Sequence, residues 1–368
     1  MNADVIIVGA GIVGAACAHA FAQHGLDVLL LDDLRGGATA AGMGHLVVMD
    51  DNPAELALSQ YSLGLWRRLA PALDDGCAYR NCGTLWLATN DEELAVAEHK
   101  RALLEAEGLG CRMLSADGVR EAEPMLRPGL VGGLHVSGDG IVYAPNVVRW
   151  LLTQQPERIR QRQATVSEVS GNRVRLSSGE WLSASAVVLA SGSALDLCPE
   201  LPIRPKKGHL LITDRYPARI RHQLVELGYV SSAHSSSGTS VAFNAQPRPT
   251  GQILIGSSRQ FDSLDPAVDH DVLARMLARA LDYLPALAKM NAIRSWTGFR
   301  AATPDSLPLL GPHPSQPGLW LALGHEGLGV TTAPGSAQLL VNQVLKQPSA
   351  IDSAPYSPLR FAMAEQPA

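Results

Sequence analysis

Val5, Ile6, Ile7 and Val8 run without a break into Gly9-Ala10-Gly11-Ile12-Val13-Gly14. This junction restricts the chain more than any other feature. Consecutive β-branched residues suit a strand buried on both faces, as in a parallel sheet. The glycines allow a tight turn, a close approach to the backbone, and close packing of the next helix on the strand. Residues 12–24 read as an alanine-rich helix, with Gly25 in the place of a C′ glycine. Residues 27–31 read as a second buried strand, ending on Asp32-Asp33. Strand, GxGxxG turn, helix and a second strand tipped by an acid make a dinucleotide-binding βαβ unit. The N–H groups and dipole at the helix start suit a diphosphate. Asp32 suits the ribose hydroxyls. The competing reading is a glycine-rich turn in some other α/β protein. The unit alone does not choose between NAD and FAD.

The remainder alternates. Helices are expected over 53–69, 91–107, 115–124, 145–152, 269–284 and 331–345. Strands are expected over 83–88, 132–136, 140–143, 166–169, 173–176, 186–190 and 319–323. A further set, 209–214, 227–232, 240–243 and 252–256, suggests an antiparallel sheet. The expected fold is therefore α/β: a discontinuous Rossmann-type domain interleaved with a mostly antiparallel β-sheet domain carrying helices. The expected partition is 1–80, 140–200 and 296–347 for the nucleotide domain, and 81–139 with 201–295 for the substrate domain. Residues 348–368, rich in Pro, Ser and Ala, read as an extended or poorly ordered tail.

Composition narrows the function. A net charge of −5 and the absence of any run of five basic residues leave nucleic-acid binding unsupported. The five cysteines are scattered and never at CxxC spacing, so no disulfide framework, zinc site or iron–sulfur cluster is expected. No apolar stretch has the length of a spanning helix, and the N-terminus has no basic region of the kind that opens a signal peptide. A cytoplasmic chain is the expectation.

Five further blocks follow the glycine turn. They are Gly36 to His45 (GGATAAGMGH), Asp139 to Pro145 (DGIVYAP), Ala186 to Gly192 (AVVLASG), Trp296 to Asp305 (WTGFRAATPD) and Gly324 to Val330 (GHEGLGV). In this order, over nearly the whole chain, they resemble the glycine oxidase/D-amino-acid oxidase family of flavoenzymes. The resemblance implies non-covalent FAD. It implies that Gly9, Gly11, Ile12, Val13, Gly14, Asp32 and Asp33 hold the adenosine and diphosphate side. Ala40, Ala41, Gly42, Gly44, His45 and Leu46 would pass under the flavin ring. Val166, Ser191 and Gly192 would close over the adenine side. Gly324, His325, Gly327, Leu328, Gly329 and Val330 would bring a helix N-terminus to the flavin edge, where reduction develops negative charge.

Arg300 matches the family's carboxylate-gripping arginine, whose planar fork pairs both oxygens; it and His325 are the expected catalytic residues. A structural salt bridge is the competing role for Arg300, and a hydrogen-bonded structural imidazole for His325. Departures matter too. Ala301 replaces the usual proline, Gly298 occupies the place of a flavin-linking cysteine, and Asn244 occupies that of a tyrosine in glycine oxidase. His209, which follows Gly208, reads as support for the sheet, with a place in the substrate pocket as the competing role.

The loop at Gly42–His45 and the stretch Asn244–Arg248 resemble the FAD subunits of heteromeric D-hydroxyproline, proline and opine dehydrogenases. That implies a small amino-acid or amine substrate, with D-hydroxyproline first, and a hetero-oligomeric partner that takes electrons onward. The alternatives are a stand-alone oxidase making hydrogen peroxide, and a non-catalytic FAD-binding scaffold.

Overall fold

The computed structural model describes residues 3–228, 238–261 and 263–362. Two large sheets organise it. The first has six strands in the order Leu309–Pro312, Leu319–Leu323, Ala186–Leu189, Val5–Val8, Val28–Asp32 and Ile159–Gln163. All neighbours in it are parallel except the Leu309–Pro312 edge. The Ile12–Gln23 helix crosses from Val5–Val8 to Val28–Asp32, and the Gly329–Val344 helix packs beside it. The apolar strand centre is fully buried: Ile7, Val187, Val188 and Leu321 have no exposure.

The second sheet has nine strands, from His325–Glu326 and Ala292–Ala302 at one end to Gly132–Val136 and Cys111–Ser115 at the other. Only Gln223–Glu226 beside Thr84–Ala88 is parallel in it. The His270–Tyr283 helix covers one face, and Phe243 stacks on Tyr283 with centroids 4.5 Å apart. Among the described residues, no helix is long and apolar enough to cross a membrane.

Several expectations change. The Ile159–Gln163 and Cys111–Ser115 strands were not expected; each closes an edge of its sheet, where solvent on the free side removes the apolar run that marks a strand. The strand expected at 227–232 is Gln223–Glu226 instead, and residues 229–232 lie outside the described ones. The Ala292–Ala302 strand belongs wholly to the nine-stranded sheet, so the expected division at 295/296 falls inside one strand.

The C-terminal segment is docked up to residue 362, not extended. Tyr356 is 1% exposed and donates to the Ala54 carbonyl at 2.6 Å. Arg360 pairs with Asp305 at 2.7 Å. One buried aromatic outweighs a composition typical of loose chain, because a large ring buries enough area to order the residues around it.

Pro334 lies inside the Gly329–Val344 helix and cannot donate to the Val330 carbonyl four residues back. The Trp66 indole N–H donates there instead, at 3.2 Å, and to the Thr331 carbonyl at 2.9 Å. The freed carbonyl is thus satisfied, and the start of this helix lies beside the glycine turn, with a Cβ on Gly329 3.8 Å from Val13.

Candidate active site

The glycine turn forms a cradle that any side chain would fill. Gly9 has φ +105°, and a Cβ there would lie 2.5 Å from the Ala190 carbonyl oxygen. A Cβ on Gly14 would lie 1.9 Å from the Gly9 carbonyl oxygen. Gly11 caps the Ile12–Gln23 helix with extended backbone, no side-chain cap, and no acid in the first turn. Such an N-terminus offers N–H groups and positive dipole to an anion. Thr39, which the sequence did not single out, accepts from the Ile12 N–H at 2.9 Å and fixes the following loop over the helix start.

Asp32 accepts from Ala10 N–H at 2.5 Å and from Leu34 N–H at 2.7 Å. Each carboxylate oxygen keeps a second lone pair for a ribose hydroxyl. Asp33 turns outward and pairs with Arg35 at 3.3 Å, so the two acids do not act together. Ser191 lies against Gly9. Gly192 takes φ +61° at the surface. The Ala164 N–H bonds the Asp32 carbonyl at 2.9 Å, which starts the Val166–Ser170 strand from the tip of Val28–Asp32. This donor set and open backbone fit a dinucleotide diphosphate and ribose.

The loop from Ala38 to Leu46 joins this cradle to the nine-stranded sheet. Gly44, at φ +80°, touches the Val142 carbonyl so closely that a Cβ would lie 2.0 Å from its oxygen. Thr331 at the start of the Gly329–Val344 helix donates to the His45 carbonyl at 3.0 Å. Trp296 donates to the Ala41 carbonyl at 3.0 Å, and a Cβ on Gly298 would lie 2.4 Å from that of Ala41. Arg300 lies between two glycines: a Cβ on Gly208 would be 2.6 Å from its Nη1, and one on Gly327 3.5 Å from its Nε. Its Nη1 donates to the Ser258 carbonyl at 3.1 Å. The arginine block and the Gly324–Val330 block meet directly, with Ala301 opposite Glu326 and Ala302 opposite His325. Gly329 in turn lies 3.8 Å, by its would-be Cβ, from Val13.

His45 is the centre of a polar cluster assembled from distant segments. Its Nδ1 donates to Gln223, and its Nε2 accepts from Asn244 Nδ2 at 3.2 Å. Gln246 approaches Nδ1 at 3.5 Å and accepts from Arg248 at 3.0 Å. Burial pushes the His45 pKa down to about 4, helped by the Arg248 charge and opposed by the Gln223 bond. The ring is therefore neutral at ordinary pH. Asn244 is 7% exposed, and its Oδ1 has no partner among the described residues. His45 and Asn244 stand out in the sequence. Gln223 and Gln246 do not, because their link to residue 45 spans 178 and 201 positions and leaves no local signal.

His325 does not present as an acid or base. Its Nε2 bonds Ser336 Oγ at 3.0 Å, the residue is 8% exposed, and burial pushes its pKa down to about 4. A neutral imidazole so held braces the His325–Glu326 strand on the next helix. His209 is wholly buried, with Nδ1 on Ser258 Oγ at 2.8 Å and Nε2 accepting from Asp269 N–H at 3.0 Å.

Nearby, burial first and then the charges of Asp51, Glu326 and Asp50 push Glu55 up from 4.5 to about 8. Between these values the folded chain holds a proton that the unfolded chain has released, so stability falls as pH rises. Glu55→Gln should flatten that fall. Near pH 8 it should be more stable than the parent by on the order of a few kcal/mol, read from urea midpoints. Parallel pH profiles for the two proteins would show that Glu55 is ionised in the fold.

Comparison with known proteins agrees with the geometry. A family model described as DAO, FAD dependent oxidoreductase, matches residues 4–343. A glycine oxidase of Pseudomonas aeruginosa is 28% identical, over 97% of this chain and 99% of its own. An opine oxidase subunit of Rhizobium meliloti is 28% identical, over 97% of each. The crystal structure of glycine oxidase from Geobacillus kaustophilus superposes with a TM-score of 0.86 at 26% identity, covering 98% of this chain and 99% of that one. The glycine cradle, the uncapped helix and the interleaved sheets thus have their explanation, and the chain belongs to the DAO family of FAD-dependent oxidoreductases.

Proposed function

We propose that this chain oxidises the C–N bond of a small amino acid, a cyclic secondary amine such as D-hydroxyproline, and passes the electrons to a partner subunit. The observation that carries the substrate reading is the buried Asn244 Oδ1 with no partner among the described residues, held against neutral His45 in a cluster of three amides. A buried acceptor left unpaired costs free energy unless something donates to it. A ring N–H or hydroxyl of the substrate is such a donor, and glycine offers less to such a cluster.

Arg300 would grip the carboxylate with its planar guanidinium fork while Nη1 keeps its bond to Ser258. FAD, held by the Gly9–Gly14 cradle and Asp32, supplies the acceptor for the hydride leaving the α-carbon. The protein then has to orient the substrate and exclude water; no side chain need take the hydride. The amine reacts as the free base; loss of the hydride, two electrons and one proton, leaves an iminium ion, which releases its N–H proton to solvent as the imine. His325 has the bond to Ser336 to keep, which leaves the cofactor edge to the N–H groups at Gly327–Val330.

The name of one relative, a subunit of an opine oxidase, supports a heteromeric assembly. The name of another, glycine oxidase, supports a second reading, a stand-alone oxidase that makes peroxide. Anaerobic bleaching of the flavin separates them. D-hydroxyproline, D-proline, L-proline, sarcosine, glycine and an opine are added singly, and air is then admitted. Bleaching by a cyclic amine with slow re-oxidation is the expected result. Rapid re-oxidation with peroxide would favour the oxidase. Bleaching by glycine alone would overturn the substrate reading.

A further inference from the structure

Far in sequence from one another, Cys198, Glu200 and His313 come together where the two large sheets are linked. Cys198 and Glu200 lie on the crossover that leaves Ala186–Leu189 in the six-stranded sheet and enters Arg204–Thr213 in the nine-stranded one. His313 directly follows the Leu309–Pro312 edge strand. Their ligand atoms, Sγ, a carboxylate oxygen and a ring nitrogen, all lie within 4.8 Å of one another. His313 Nε2 is 3.1 Å from Glu200 Oε1. We propose that these three side chains form a zinc-binding site that braces the crossover to the edge of the six-stranded sheet.

The donor set argues for zinc. Thiolate, imidazole and carboxylate together suit a borderline-soft divalent ion in tetrahedral geometry. The arrangement is also stiff. Pro199 separates the first two ligands, while Pro312 and Pro314 bracket the third, and proline fixes the backbone φ on which each ligand depends. The His313 N–H is tied to the Leu319 carbonyl at 2.8 Å.

Two ligands are anchored inside, with the His313 side chain 2% and Cys198 1% exposed. The Glu200 side chain is 51% exposed, which leaves a solvent side where water can complete four-fold coordination.

The proton count is simple. Zinc takes Sγ as thiolate, so the thiol proton goes to solvent. Ser315 N–H faces His313 Nδ1 at 3.3 Å, which puts the ring proton on Nε2, toward Glu200. Zinc at Nε2 requires that proton on Nδ1, with Ser315 Oγ, 3.5 Å away, to accept it. The sequence carries no sign of the site because its spacing is two residues and then 113.

The test uses the flavin-loaded protein. It is equilibrated with zinc sulfate, passed through a buffer holding a chelator of micromolar affinity, and assayed for zinc by mass spectrometry. The expected result is one zinc per chain, with the zinc-dependent rise in melting temperature that ligand linkage requires. Cobalt chloride should give a thiolate-to-metal charge-transfer band in the difference spectrum against the metal-free flavoprotein. Cys198→Ser should abolish the band and weaken zinc binding at least about 10-fold, as should His313→Asn. Glu200→Ala, at an exposed position, should weaken it with the fold and flavin content unchanged. Cys111→Ser, outside the site, should change nothing. No retained zinc in the parent, or a cobalt band that survives in Cys198→Ser, overturns the proposal.

Discussion

Arg300→Ala should raise KM for the amino-acid substrate by on the order of 10²–10⁴-fold, with flavin content unchanged. Two hydrogen bonds between charged groups contribute about 1.5–3 kcal/mol each, and each 1.4 kcal/mol is a factor of about ten. The prediction leans on packing as well as charge. The bare backbone at Gly208 and Gly327 leaves room for the Arg300 side chain, and the Ser258 carbonyl accepts from its Nη1. Removing the side chain therefore opens space without straining a neighbour. Arg300→Lys should fall between, because the ammonium keeps the charge and loses the fork. Steady-state kinetics beside the flavin absorbance ratio decides the matter. An unchanged KM sinks the carboxylate role. A normal KM with depleted flavin would make Arg300 a structural tie to the Ser258 strand.

Why Arg300 was legible while its surroundings were not follows from the physics of the fold. The residues that could be read in advance act through their own backbone or within one βαβ unit. Gly9, Gly11 and Gly14 are required by close approach over a few residues, and Asp32 follows one helix later. Arg300 could be read because a short motif surrounds it. Gln223, Gln246 and Thr39 could not, since each works by meeting a residue that only the sheet order brings near. The edge strands were missed for a related reason: Ile159–Gln163 has a polar, half-wetted pattern, and its pairing with Val28–Asp32 is what makes it a strand. His325 is instructive in the other direction. Its motif placed it by the cofactor, but the ring's direction depends on Ser336, beyond the motif on the next helix. Motifs locate backbone; neighbours from elsewhere decide where side chains point.

The glycine turn allows a sharper test than any side chain. Gly14→Ala should yield protein that retains little FAD, with affinity weakened at least about 100-fold, the loss expected when about 3 kcal/mol of charge-assisted hydrogen bonding goes. The added Cβ would lie 1.9 Å from the Gly9 carbonyl oxygen, a backbone atom that cannot swing aside. To relieve the clash, the helix start must move off the strand. That movement carries away the Gly11, Val13 and Gly14 N–H groups that would face the diphosphate, and shifts the Ile12 N–H from its 2.9 Å bond to Thr39. Gly25→Ala is the matched control. Gly25, just past the end of the same helix, has φ +84°, but a Cβ there meets nothing within 4 Å. That variant should cost about 1–2 kcal/mol of stability, the usual penalty for a left-handed residue, and should bind FAD normally. Far-UV circular dichroism confirms that both variants fold, and FAD titration of the apoproteins gives the affinities. Equal affinities would mean that backbone closeness at Gly14 serves helix packing alone. A loss confined to Gly14→Ala would tie cofactor binding to the distance between the Ile12–Gln23 helix and the Val5–Val8 strand, which the first glycines of the chain set.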